Sequence, residues 1–179
     1  RIQIIFHGNA GPKRKIENMF ELMEYLPAQF HLHLMVIMRD KKYREYIINK
    51  VKLYDNIHLE EPVKPKEIVK VINRYDIGIY LIKPYNLNKK FTLSNKFFDY
   101  IQARLALAIG PSIEMAKIVN KYNLGVISDD FTPKNLAKKI SELTPEKIMN
   151  YKNNSHKSAK ELSSESNKQK LLKIVDDLI

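Results

Sequence analysis

The feature that most constrains this chain is an alternation. Short apolar runs are each followed by a stretch with helical periodicity. The runs fall at 2–6, 32–38, 57–59, 76–81, 105–109 and 126–127. Helical patterns follow at about 13–25, 41–53, 65–74, 94 onward, 112–122 and 133–143. Brief apolar runs bounded by turn residues read as strands buried on both faces. Strands separated by helices in this way predict an α/β fold, a Rossmann-like doubly wound parallel sheet of about six strands with flanking helices. Ligands of such sheets bind beyond the strand C-termini, where the strand order reverses. Three basic or polar clusters follow strands here, at 8–15, 62–66 and 87–96. Their convergence points to a nucleotide site.

The stretch FTLSNKFFDYIQARLALAIG, residues 91–110, carries the most chemistry. Ser94 is placed to cap a helix, its hydroxyl taking a backbone N–H of the first turn. The N–H groups of Asn95, Lys96 and Phe97 would then point out of a helix end that attracts anions. Lys96 adds a charge there, and Asp99 follows three residues later on the same face. A cation with free N–H groups suits a diphosphate, and a carboxylate one turn deeper suits ribose hydroxyls. The residues alone also allow a plain capped helix with a solvated Lys and Asp. Gly8 at the first strand's exit lets backbone approach a ligand closely. Arg14 and Lys15 sit at the entrance of the next helix, where cations oppose the dipole. They form either an anion site or a solvated pair.

The 179 residues suit one domain, or one half of a larger protein. Residues 1–145 read as the Rossmann-like nucleotide-binding domain. Residues 146–179 read as helices that pack on it or return toward an N-terminal domain, with breaks near 153–158 and 163–167. Arg1 leads without Met into a strand, so we expect an excised fragment with an upstream partner domain. The absence of Cys excludes disulfides, thiolate metal sites and a Cys nucleophile. No apolar run approaches the roughly 18–20 residues of a spanning helix. The net charge of +11 favours phosphate-rich partners, whether nucleic acid, nucleotide or an anionic membrane surface.

Several chemistries have no motif. There is no dinucleotide GxGxxG, no P-loop and no GxSxG elbow. His31 and His33 alternate along a strand and face one side of the sheet, where a zinc pair is the less favoured reading. His7, at a strand end beside the site, could touch substrate or be structural.

These residues together resemble a known family. The chain is similar over nearly its whole length to the C-terminal, donor-binding half of a GT-B fold glycosyltransferase, close to glycosyltransferase family 4 (glycosyl transferases group 1). FHGNAGPKRKIE, residues 6–17, resembles the family's strand, Gly, Gly-Pro and Arg sequence through Gly8, Gly11, Pro12 and Arg14. Many members carry an Arg after the first Gly, where this chain has Asn9. Ser94, Lys96, Phe97, Phe98, Asp99 and Tyr100 match the pattern S-x-K-lf-[DE]-y-x-a-a-g-k-p-v-i. Family members often have two Glu separated by seven residues; the first is Phe91 here, and Asp99 takes the second place. NRYDIGIYLIKP, residues 73–84, resembles a further family strand.

The resemblance makes residues 1–145 a nucleotide-sugar-binding domain. It implies transfer of a sugar from a UDP- or GDP-linked donor to a hydroxyl acceptor, with no cofactor and no metal in this half. It implies donor contacts at Gly8, Asn9, Arg14, Lys15, Pro62, Val63, Ser94, Asn95, Lys96, Phe97 and Asp99. Arg14 and Lys96 would be the catalytic cations, stabilising charge on the departing diphosphate. A glycan or lipid-linked acceptor would bind through the N-terminal domain, so this half alone would be inactive. It further implies surface-polysaccharide or glycolipid synthesis at a cytoplasmic location, peripheral on the inner membrane face. The alternatives are a GT-B epimerase or non-catalytic homologue, and a basic nucleic-acid-binding module. For the last, no interleaved aromatic and basic face is present, so no nucleic-acid partner is expected.

Overall fold

The computed structural model describes residues 1–84 and 91–166. Part of the loop expected at 82–93, and the end of the C-terminal helical stretch, lie outside the described residues. Six strands form one parallel sheet: β1 (Ile2–Ala10), β2 (Phe30–Met38), β3 (Ile57–Leu59), β4 (Ile77–Tyr80), β5 (Ala106–Ile109) and β6 (Gly125–Ile127). Their order is β3-β2-β1-β4-β5-β6, which reverses between β1 and β4. The helices are α1 (Glu17–Glu24), α2 (Lys41–Val51), α3 (Ile68–Ile72), α4 (Asn95–Gln102), α5 (Ile113–Tyr122), α6 (Pro133–Ser141) and α7 (Pro145–Ser158).

The sheet is apolar on both faces because its strands are apolar at successive positions. Ile4, Phe6, Leu32 and Leu34 face α1, α2 and α6, meeting Phe20, Ile47 and Leu136. Ile5, Leu107 and Ile109 face α3, α4 and α5, meeting Ile72, Phe97, Tyr100, Ile101 and Val119. Helix α7 runs beneath the N-terminal ends of the strands. There Ser155 donates to the Leu105 carbonyl at 2.7 Å, and Lys152 donates to the Tyr75 carbonyl at 2.7 Å. Thr132 and Thr144 cap α6 and α7 through their hydroxyls, each with Pro as the first helical residue. Among the described residues no helix is long and apolar enough to cross a membrane.

Several boundaries differ from the sequence expectation. β1 does not end at Phe6. It continues to Ala10 because β2 offers a partner for every residue up to Met38. The helix expected at 13–25 is interrupted: a 3-10 turn covers Pro12–Arg14, Lys15 adopts a left-handed conformation (φ 46°), and α1 starts only at Glu17. Asn123 (φ 50°), not Gly125, ends α5 in the left-handed conformation. Gly125 belongs to β6, where a Cβ would lie 1.9 Å from the Leu107 carbonyl oxygen. The break expected near 153–158 is absent, since α7 is helical through Ser158.

The fold's opening lies between β1 and β4. Their pairing covers only Ile4 with Ile77 and Ile5 with Gly78. Beyond that point the strands part, and the Tyr100 hydroxyl fills the gap. It donates to the Ile79 carbonyl at 3.1 Å and accepts from the His7 backbone N–H. Gly78 makes room for the ring, since a Cβ there would stand 2.3 Å from Tyr100 Cγ. Helix α4 therefore enters directly above the parted strand ends.

Candidate functional site

A cleft of about 810 Å³ occupies the space above the parted ends of β1 and β4. Asn9 and Arg14 line one side, Tyr80, Ile82, Lys83 and Pro84 the β4 exit, and Thr92 through Lys96 the entry to α4. Among the described residues that line it, Arg14, Lys83 and Lys96 are cations and none is acidic. Arg14 Nη1 donates to the Asn9 carbonyl at 3.3 Å, which fixes the guanidinium over the loop. Lys96 lies across Gly8, with Cε 2.5 Å and Nζ 2.7 Å from where a Gly8 Cβ would be. Its ammonium stands 5.9 Å from the Phe6 ring centroid.

Helix α4 forms because Phe97, Tyr100 and Ile101 recur on one face and are buried. Its start differs in detail from the expectation. Ser94 is the N-cap residue, with extended backbone, but its hydroxyl makes no cap bond. The hydroxyl instead meets the Tyr80 phenol. The Phe97 N–H is also taken, donating to the Ser94 carbonyl at 3.0 Å. Asn95 and Lys96 are the remaining first-turn residues that face the cleft.

Asp99 stands one turn deeper, behind Lys96, with 30% of its side chain accessible. Burial raises its pKa and the nearby Lys96 charge opposes that rise. His7 Nε2 lies 3.5 Å from Asp99 Oδ2. Burial, reinforced by Lys96, lowers the His7 pKa to about 4, so the imidazole is neutral at pH 7. Burial raises the pKa of Tyr80, with the Ser94 bond and the Arg14 charge pulling the other way.

The structure brings together Gly8, Asn9, Arg14, Ser94, Asn95, Lys96 and Asp99. It keeps others apart from the cleft wall. Lys15 is exposed beyond the 3-10 turn. Pro62 is exposed and Val63 packs against the core on the α3 side, and neither lines the cleft. Phe97 does not line the cleft: its ring is fully buried and its N–H is taken by Ser94. Tyr80 and Ile82 to Pro84 were not named from the sequence. They follow β4 directly, so the strand-end rule could have marked them.

The histidine pair at the other end of the sheet is a hydrogen-bonded array. His31 Nδ1 faces His58 Nε2 at 3.0 Å. His33 bonds Glu60 and Gln3, each at 2.6 Å, and Arg74 reaches the other oxygen of Glu60 at 3.0 Å. With both His33 nitrogens engaged, no group of three metal-ligating side chains exists among the described residues.

The same fold occurs in solved glycosyltransferase structures. No protein-family model matches the sequence, and no curated protein does. Solved structures do. The C-terminal domain of the glycosyl transferase group 1 family protein LpcC from Francisella tularensis superposes with a TM-score of 0.68 at 14% identity, over 87% of this chain and 83% of that one. HepE of Anabaena in complex with UDP-glucose gives 0.75 at 11% identity, over 97% of this chain and 48% of that one. The catalytic domain of the Helicobacter pylori cholesterol-α-glucosyltransferase gives 0.65 at 15% identity, over 90% of this chain and 99% of that one. The lipopolysaccharide glycosyltransferase WaaG matches over 43% of its own length, so this chain spans under half of WaaG and HepE. A left-handed Arg104 (φ 64°) stands where the resembled pattern carries glycine.

Proposed function

We propose that this chain binds a nucleotide-activated sugar and forms the donor half of a glycosyltransferase. The observation that carries the reading is the cleft at the β1/β4 reversal, with Arg14, Lys83 and Lys96 on its walls and Asp99 behind. That charge pattern suits a diphosphate lying beside a ribose. The cations gather where the helix α4 N-terminus also favours negative charge. The fold supports the same reading, since HepE, solved in complex with UDP-glucose, shares it over about half its length.

In this reading Arg14 and Lys96 meet the diphosphate and stabilise the charge that grows on it as the glycosidic bond breaks. Asp99 accepts hydrogen bonds from the ribose hydroxyls. Asn9 and Asn95 supply polar contacts at the cleft edge. Lys15, Pro62 and Val63 have a weaker claim, because they stand off the cleft wall. A second half contributes the acceptor site, and turnover requires it. The acceptor is a surface glycan or glycolipid, and the +11 charge holds the protein peripherally against an anionic inner membrane face.

Calorimetric titration with UDP, GDP and their sugar conjugates tests the reading. One diphosphate should bind, and Asp99→Ala and Arg14→Ala should each weaken it by about tenfold or more, the scale of one charged hydrogen bond. Equal binding by both variants and the parent would overturn the site. A steep salt dependence of duplex DNA binding, with no nucleotide binding, would favour the nucleic-acid alternative.

A further inference from the structure

His7 is buried beneath the cleft, only 3% exposed, and its Nε2 is a buried atom with no hydrogen-bond partner. Leaving such a group unpaired is costly, and native structures keep few of them. The ring is held edge-on to Tyr100, centroids 5.2 Å apart at 86°. That contact points Nε2 at Asp99 Oδ2, 3.5 Å away. The titratable groups facing the imidazole are Asp99, Lys96 and Tyr100, all on α4. Tyr100 spends its hydroxyl proton on the Ile79 carbonyl, so it does not compete for Nε2.

A neutral imidazole offers one N–H and one lone pair. A carboxylate only accepts, and a lone pair turned toward it would repel. The tautomer that fits carries its proton on Nε2. The gap is longer than a hydrogen bond by about half an ångström, which a small rotation of the Asp99 side chain closes.

We propose that His7 is the positioning residue for Asp99, its Nε2–H holding Oδ2 so that the other carboxylate oxygen is turned to the vicinal hydroxyls of a ribose. The proposal rests on the nucleotide reading of the cleft and adds a residue to it. His7 touches no ligand and acts through Asp99. The need for it follows from the surroundings of Asp99. Burial disfavours the carboxylate, Lys96 offsets this in part, and a fixed donor completes the offset.

Two measurements test the proposal. The first needs no ligand: the Asp99 carboxyl is titrated by carbon-detected NMR in the parent protein, His7→Phe and His7→Gln. His7→Phe should move the Asp99 midpoint up by about one unit. His7→Gln, whose amide nitrogen reaches the place of Nε2, should restore it. An unmoved midpoint in His7→Phe overturns the proposal, whatever binds in the cleft. The second compares UDP with inorganic pyrophosphate by calorimetry at pH 7.5. His7→Phe should weaken UDP about tenfold, roughly one charged hydrogen bond, and leave pyrophosphate unchanged. Equal loss for both would mean a distorted cleft and overturn a role through Asp99. If the parent binds pyrophosphate but not UDP, the nucleotide reading falls and takes the ribose contact with it, while the carboxyl titration still decides whether His7 holds Asp99.

Discussion

Lys96 is draped over Gly8, its Cε 2.5 Å from where a Cβ on that residue would stand. Gly8 also holds φ 113°, a conformation that side chains rarely adopt. The glycine thus meets two needs at once, the turn of the β1 exit and the bed for the ammonium. Gly8→Ala should cost about 1–3 kcal/mol through backbone strain. It should also displace Lys96 and weaken pyrophosphate binding by about tenfold, the worth of one charge-assisted contact. Chemical denaturation and calorimetry on the same variant separate the two effects. Unchanged pyrophosphate affinity would mean that Gly8 does not set the position of Lys96.

A second glycine opens the site from beneath. Gly78 has no Cβ to strike the Tyr100 ring, and the hydroxyl of that ring bridges the parted strands. Gly78→Ala drives a methyl into a buried aromatic ring and should destabilise by about 3 kcal/mol. Tyr100→Phe keeps the shape but leaves the Ile79 carbonyl and the His7 N–H without their bridge, and should cost about 1–3 kcal/mol. Urea unfolding of both variants checks the ranking. A harmless Gly78→Ala would show that the ring can move aside.

Acid should destabilise the protein through His7. Its folded pKa is about 4 against 6.5 unfolded, so the unfolded chain binds the proton first as pH falls. The stabilisation is therefore complete above pH 6.5, is lost progressively below it, and is gone near pH 4. The full span corresponds to about 3 kcal/mol. His31 and His33 are lowered too and act in the same direction. Asp99, with a raised pKa, acts oppositely in the carboxylate range. Unfolding free energies at pH 7.5 and 5.0 should thus differ less in His7→Phe than in the parent. An equal difference would show that His7 does not carry this dependence.

The sheet was legible because its strands are nearly continuous apolar runs, and the clusters that follow β1 and β4 border the cleft while the one at 62–66 stands off it. The Thr-Pro pairs at 132–133 and 144–145, which start α6 and α7, are equally local signals. What depended on distant partners did not show. β1 extends through His7, Gly8 and Asn9 because β2 pairs with them, which no local pattern reveals. Ser94 gives its hydroxyl to Tyr80 instead of its own helix, a choice fixed by the β4 exit. The left-handed Lys15 breaks the expected helix at a residue that seldom adopts that conformation. His7 and Asp99 are distant in sequence, and only folding the strand end against α4 sets them 3.5 Å apart.

The division at residue 145 yields the last prediction. Helix α7 is tied to the sheet through its buried face. Ser155 is fully buried and bonds the Leu105 carbonyl, Lys152 bonds the Tyr75 carbonyl, and Gln102 reaches from α4 to the Ala159 carbonyl at 2.7 Å. Ile148 and Ala159 join the cores on opposite faces of the sheet, so α7 closes the underside of both. We propose that residues 145–166 belong to the domain's folding unit and are not an appendage. Ser155→Ala should cost about 1 kcal/mol, the worth of one buried hydrogen bond. Ser155→Asp, which puts an unpaired charge at the same buried place, should cost about 3 kcal/mol or more. A chain ending at 144 should lose cooperative unfolding, since both cores would open to water from below. A sharp thermal transition in that truncated chain, at the temperature of the parent, would show instead that the sheet and its first six helices stand without α7.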